Sequence, residues 1–228
     1  MPRPPRRANS NHPPGFRKQA KDQYYTPTFA VMLLLRVLGN TIAQLATGKY
    51  FSSPFLFIFF YPIICSGGLP ILEPACGDGR ISKVLKDMGY AVIEQDLYSN
   101  YVSQHIDYLT STDPAHCFLI TNPPFILKFL FLKKAFESGI PFAMQLPITC
   151  FTTVMGLELF EKYSLKIYAF RRCLSFTHDG QESVFHDMAW LVGNVGEKRP
   201  FFELYYIDHL DKKLDQDLAN VVVEQTGV

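Results

Sequence analysis

The chain of 228 residues holds three short stretches whose residue types and spacing suit chemistry at the edge of a sheet. The first is Glu73-Pro74-Ala75-Cys76-Gly77-Asp78-Gly79, set between the apolar run Leu69 to Glu73 and a helical pattern from Gly79 to Gly89. Gly77 and Gly79 permit a tight turn and let backbone approach a ligand with no Cβ in the way, while a helix start offers unpaired N–H groups. This is the nucleotide-binding turn of a doubly wound sheet, although the full GxGxxG spacing is missing. The second is Asp96, 19 residues after Gly77 at the end of the next apolar run. A carboxylate there is placed to accept hydrogen bonds from ribose hydroxyls. No GK[ST] sequence is present, which argues against a triphosphate cradle, so the ligand contains a nucleoside but need not carry phosphate.

The third stretch is Asn122-Pro123-Pro124-Phe125, directly after the apolar run Cys117 to Thr121. Two consecutive prolines remove two N–H donors and stiffen the backbone, so the Asn amide and the neighbouring carbonyls become fixed acceptors. A phenyl ring follows at once. Acceptors for an exocyclic NH₂ beside a ring that stacks on a planar face suit an amino-bearing heterocycle. His186-Asp187 reads as structural rather than as a catalytic dyad.

Short apolar runs alternating with helical patterns from Leu69 onward predict βαβ units and a parallel sheet. Strands are expected at Leu69 to Glu73, Ala91 to Glu94, Cys117 to Thr121, Pro141 to Leu146, Leu165 to Phe170, Met188 to Val192 and Phe202 to Ile207. Helices are expected at Gly79 to Gly89, with Ile81, Val84, Leu85 and Met88 on one face, and at Leu127 to Ser138. Thr26-Pro27 opens an earlier helix, with a hydroxyl at the N-cap and proline at the first helical position, ended near Leu38 by Gly39-Asn40.

Composition sets the outer limits. With 48% hydrophobic and 19% charged residues the chain can bury a core and is neither disordered, collagenous nor coiled-coil in type. Six of the 22 basic residues, Arg3, Arg6, Arg7, Arg17, Lys18 and Lys21, precede the first acid, Asp22, so residues 22–228 carry 16 basic against 21 acidic side chains. Residues 1–21 are therefore a basic arm, suited either to phosphates or to simple solvation. The five cysteines, Cys65, Cys76, Cys117, Cys150 and Cys173, are scattered with no CxxC pair, which supports neither a disulfide framework nor a metal site and fits an intracellular, cytoplasmic protein. The run Pro54 to Cys65 (PFLFIFFYPIIC) falls short of the roughly 20 apolar residues of a spanning helix. It reads as part of a buried or lipid-touching hydrophobic insertion at about 40–68, with a membrane-associated hairpin as the alternative and no stable membrane insertion expected. Residues 22–207 form the expected domain and 208–228 a C-terminal tail.

Taken together these pieces resemble S-adenosylmethionine-dependent adenine-specific (N6) DNA methyltransferases. Their ordered segments match Tyr25-Thr26-Pro27, Glu73 to Gly79, Asp96, His105-Ile106-Asp107-Tyr108-Leu109 and Asn122 to Phe125, with Arg171 to Phe176 and Asp187 to Trp190 similar to a later segment. The resemblance implies a Rossmann-like α/β fold: a seven-stranded, mostly parallel sheet of order 3-2-1-4-5-7-6 with helices on both faces. It implies S-adenosylmethionine as cofactor, no metal, and DNA as substrate. Gly77 and Gly79 would line the methionine portion, Asp96 would bind ribose, and Asp107 would accept from the cofactor's adenine amine. Tyr24, Tyr25, Thr26 and Pro27 would close over the methionine end. Glu73, Pro74, Ala75, Leu97, Tyr108 and Asn122 complete the implied cofactor set. Asn122 and the Pro123 carbonyl would hold the target amine, Pro124 would stiffen the turn, and Phe125 would stack on a flipped base.

Lys128, Lys133 and Lys134 are candidates for phosphate contacts or for a solvated helix face. An NPP turn also serves RNA adenine or a protein glutamine amide. A non-catalytic scaffold retaining the fold is the reading from another class.

Overall fold

The computed structural model describes residues 26–47, 69–102, 105–170, 174–178, 181–196 and 202–207. Tyr24 and Tyr25, the basic arm, the Phe-rich run and the C-terminal tail lie outside the described residues.

Helix α1, Thr28–Thr47, begins where the first-turn bond from Ala30 N reaches Pro27 O at 3.0 Å. It does not stop at Gly39-Asn40. A glycine costs a helix interior about 1 kcal/mol relative to alanine. Leu34, Leu38 and Ile42, four residues apart and all buried, continue one apolar face across that point and override it. Thr26 is not the cap expected of it: the helix begins two residues later, at Thr28, and the Thr26 hydroxyl donates to Gln145.

Strands β1 (Ile71–Glu73), β2 (Val92–Glu94), β3 (Phe118–Thr121) and β4 (Phe142–Pro147) run parallel. Helix α2 (Arg80–Asp87) joins β1 to β2, and α3 (Lys128–Ser138) joins β3 to β4. Beyond β4 the chain forms α4 (Val154–Lys162), β5 (Leu165–Phe170), a hairpin of β6 (Leu174–His178) and β7 (Gln181–His186), then β8 (Met188–Gly193) and β9 (Phe202–Ile207). The sheet order is β2-β1-β3-β4-β8-β5-β9, with β8 antiparallel to both its neighbours and β9 parallel to β5.

This is the doubly wound, mostly parallel arrangement expected, with one substitution of place. The strand expected outside β2 is reduced to a single parallel bridge between Asp96 and His105. The seventh place is taken on the opposite edge by β9, fastened to β5 by stacked Tyr168 and Tyr205 rings 5.0 Å apart and by Lys166–Glu203 at 3.6 Å.

Alternation along the strands sorts the core into two layers. Ile71, Phe118, Ile120, Ala143, Trp190 and Val192 face α1 and α2, whereas Leu72, Leu119, Phe142, Met144 and Leu191 face α3 and α4. No helix among the described residues is long and apolar enough to cross a membrane.

Candidate active site

Because β1, β2, β3 and β4 point the same way, the turns after all four open on one edge of the sheet. β1 and β3 are direct neighbours, with Leu72 opposite Leu119. The Glu73–Gly79 turn and the Asn122–Phe125 turn therefore lie side by side at the carboxyl ends, where open α/β sheets bind ligands. Since β5 is antiparallel to β8 as β4 is, Phe170 ends on this edge too, and the β6–β7 hairpin springs from it. No element of the sequence reading anticipated that hairpin.

The glycines take the conformation that the turn requires. Gly77 has φ 56° and Gly79 φ 82°, in the left-handed region where a Cβ is penalised. A Cβ at Gly79 would also collide with the ring of Tyr101. Tyr101 in turn lies near the Lys86–Glu94 ion pair, whose atoms are 2.7 Å apart.

Asp96 organises the turn from the next strand. Its Oδ2 accepts from Gly77 N at 3.0 Å, and its Oδ1 accepts from Tyr98 N and Ser99 N, each at 2.8 Å. Ser99 Oγ donates to Gly77 O, closing the loop onto the glycine. Three of the roughly four acceptor positions of a carboxylate are thus filled by backbone, which fixes its orientation and leaves about one for a hydroxyl. The Asp96–His105 bridge and Ile106 N donating to Asp96 O at 3.1 Å bring the 105–109 segment alongside. Asp107 then sits half-buried in a turn, its Oδ1 accepting from Leu109 N at 3.0 Å. Leu97, directly after Asp96, is half-buried on the same loop.

Several residues of the expected set lie behind this surface rather than on it. Glu73 is 1% exposed, and its carboxylate takes the hydroxyl hydrogen of Ser82. Burial, reinforced by Glu94 and Asp96 and opposed by Ser82, pushes its pKa up to about 8. Pro74 is buried with it and Ala75 half-buried. Tyr108 belongs to the core on the α3 side, where its ring lies 4.8 Å from that of Phe131. Burial likewise holds the Cys76 thiol up at about 12, with the charges of Glu73, Asp96 and Glu94 adding to it, so it packs as an inert thiol.

The Asn122 turn follows β3 without a break. Pro123 is buried, Asn122, Pro124 and Phe125 are half-buried, and Phe125 packs against the layer on the α1 side. A short 3₁₀ turn, Phe125–Leu127, leads into α3. Lys128 Nζ donates to Phe125 O at 3.1 Å, Lys133 lies 3.9 Å from Glu137, and Lys134 binds Tyr108 O, Ser111 O and Asp113. Lys134 is thereby turned inward, its ammonium donating to two backbone carbonyls with Asp113 3.5 Å away and its side chain 18% exposed.

Thr26 and Pro27 reach this edge from far away in the chain. Thr26 Oγ1 donates to Gln145 Oε1 at 2.9 Å across 119 residues. Trp190, directly opposite Gln145 on β8, donates Nε1 to Ala30 O at 2.9 Å. Sequence reasoning missed Ser82, Ser99, Tyr101 and Gln145. Only Asp96-x-x-Ser99 carried a local signal, a side chain spaced to bond the backbone just ahead of it.

Electrostatically the glycine turn is acidic through Glu94 and Asp96, both close enough to act on Cys76, while burial keeps Glu73 protonated near neutral pH. Such a setting disfavours phosphate and suits hydroxyls or a positively charged centre. These residues fit S-adenosylmethionine, a nucleoside carrying a sulfonium and no phosphate. No group of His, Cys, Asp or Glu among the described residues could hold a metal ion.

No protein-family model and no curated protein matches the chain. Among solved structures it is similar to a Pyrococcus horikoshii protein proposed to be an RNA methyltransferase (14% identity, 78% of this chain and 89% of that one, TM-score 0.48). It is also similar to a Listeria monocytogenes protein proposed to be a class I S-adenosylmethionine-dependent methyltransferase (13%, 86% and 77%, TM-score 0.46). A third is the 23S rRNA methyltransferase ErmE (15%, 70% and 71%, TM-score 0.44). The architecture stated above rests on strand order and register, not on these likenesses.

Proposed function

We propose that the chain transfers a methyl group from S-adenosylmethionine to an exocyclic amine, and that the amine is N6 of adenine in DNA. The observation that carries the reading is the placing of the Gly77–Asp96 turn and the Asn122–Phe125 turn on adjacent parallel strands at one sheet edge. The bound cofactor supplies an electrophilic methyl on a cationic sulfur. Asp96 accepts from a ribose hydroxyl, Gly77 and Gly79 admit the chain of the methionine part, Leu97 lies against the purine, and Asp107 accepts from its amine. Thr26 and Pro27 approach from the α1 side, joined in this reading by Tyr24 and Tyr25.

The target amine is a weak nucleophile because its lone pair is delocalised into the ring. Asn122 Oδ1 and the Pro123 carbonyl accept its two hydrogens, favouring a pyramidal nitrogen as the new bond forms. Pro124 keeps these acceptors from relaxing, and Phe125, backed by the core, stacks on the base. Alignment accounts for most of the rate, and well-oriented reactions save on the order of 7–11 kcal/mol. Phe125 in the fourth place of the turn favours a heterocycle over an amide substrate.

The test is incubation with methyl-labelled S-adenosylmethionine and separate DNA, RNA and protein substrates. Label in DNA as N6-methyladenine, lost in Asn122→Ala, is the expected result. Label confined to RNA or to glutamine would replace the substrate and keep the chemistry. No label anywhere, with no saturable cofactor binding, would leave a scaffold.

A further inference from the structure

Gln145 is completely buried on β4, yet among the described residues its Nε2 has no hydrogen-bond partner. Its Oε1 accepts from Thr26, itself 3% exposed. Thr121 pairs with Met144 across β3 and β4, so the next residues, Asn122 and Gln145, continue the register at the same level. Alternation puts Gln145 on the α1 face, where its partner across β8 is Trp190. Gln145 thus bonds the segment that opens α1 and sits, by strand register, directly across from Asn122.

Anchoring α1 does not require this polar pair. Trp190 Nε1 already ties Ala30 O, and Ala30, Val31 and Leu34 pack on the sheet. A half-satisfied buried amide is worse for stability than an apolar side chain of the same size. Its place is accounted for if the amide serves the site rather than the fold.

We propose that Gln145 is a positioning residue, whose carboxamide couples the Thr26-Pro27 entrance to the Asn122 turn so that closing over the methyl donor and presenting the amine acceptors occur together. The inference rests on the methyl-transfer reading. It requires no covalent step of Gln145 itself.

Three variants test it: Gln145→Met and Thr26→Val, near-isosteric without the hydrogen bond, and the two combined. Trp190 is the only tryptophan and faces Gln145, so its emission reports the pair. Titration of the full chain with S-adenosylmethionine should change wild-type emission. In each single variant the midpoint should rise about tenfold, with a small drop in melting temperature from the buried partner left unpaired; the double variant should regain a melting temperature at or above wild type with no further loss of binding. Unchanged midpoints, additive losses, or a lowered melting temperature with unchanged binding would make the pair merely structural and overturn the inference while leaving methyl transfer standing. No binding by the wild-type chain, checked by calorimetry, would overturn the methyl-transfer reading and this inference with it.

Discussion

Gly77 N donates to Asp96 Oδ2 at 3.0 Å, joining the turn after the first strand to the end of the second. With Tyr98 N and Ser99 N on the other oxygen, the Asp96 carboxylate holds both loops together. Asp96→Ala leaves three N–H groups without their acceptor. It should destabilise the chain by about 1–3 kcal/mol, read from urea unfolding, and weaken S-adenosylmethionine binding at least tenfold by calorimetry. Asp96→Asn, which keeps one acceptor, should fall between the two.

Glu73 supplies a pH dependence of known sign. Its folded pKa, about 8 against 4.5 unperturbed, means that the folded chain keeps a proton the unfolded chain has lost. That contribution to stability is fully present below about pH 4.5 and falls away as pH rises toward 8, by at most about 1.4 kcal/mol per unit. Glu73→Gln should remove this slope and leave the variant relatively more stable at pH 8 than at pH 5. Denaturant midpoints of both proteins across that range decide it, and parallel curves would refute the buried neutral carboxyl.

Gly79 is required twice, by its φ of 82° and by the Tyr101 ring where a side chain would go. Gly79→Ala should cost about 1–3 kcal/mol. Adding Tyr101→Ala should recover the part due to collision and leave the part due to backbone. A double-mutant cycle separates them, and a zero coupling energy would remove Tyr101 from the account.

Asn122→Ala and Phe125→Ala test the amine side of the proposed site. Both should keep cofactor affinity near wild type while turnover falls about 10²-fold or more, and Phe125→Ala should also lower the melting temperature because its ring packs against the core. Mass spectrometry of DNA from cells expressing each form measures this as loss of N6-methyladenine. A matching loss of cofactor affinity would move Asn122 to the donor side.

Legibility followed locality. The strands around the site, helix α2, the glycine turn, Asp96 and the Asn122 turn were readable because each is set by an apolar period or a backbone requirement within a few residues. Gly39-Asn40 misled because a local breaker signal was outweighed by Leu38 and Ile42 packing on distant strands. The strand expected beyond β2 shrank to one bridge and β9 took the other edge, a choice made by pairing between segments, which no local pattern records.

The sequence by itself determined the chemistry available: two left-handed glycines, one acid a strand later, and a rigid amide–proline turn followed by a ring. Those properties belong to single residues and their immediate neighbours, so they are written wherever the residues are. The tertiary structure alone decided which of them lie at the surface of the sheet edge and which behind it. It set Glu73 and Tyr108 behind the surface, turned Lys134 inward, and brought Thr26 to Gln145 from 119 residues away. Burial and hydrogen-bond partners depend on what packs across a strand, and that is fixed only when the sheet closes around its core.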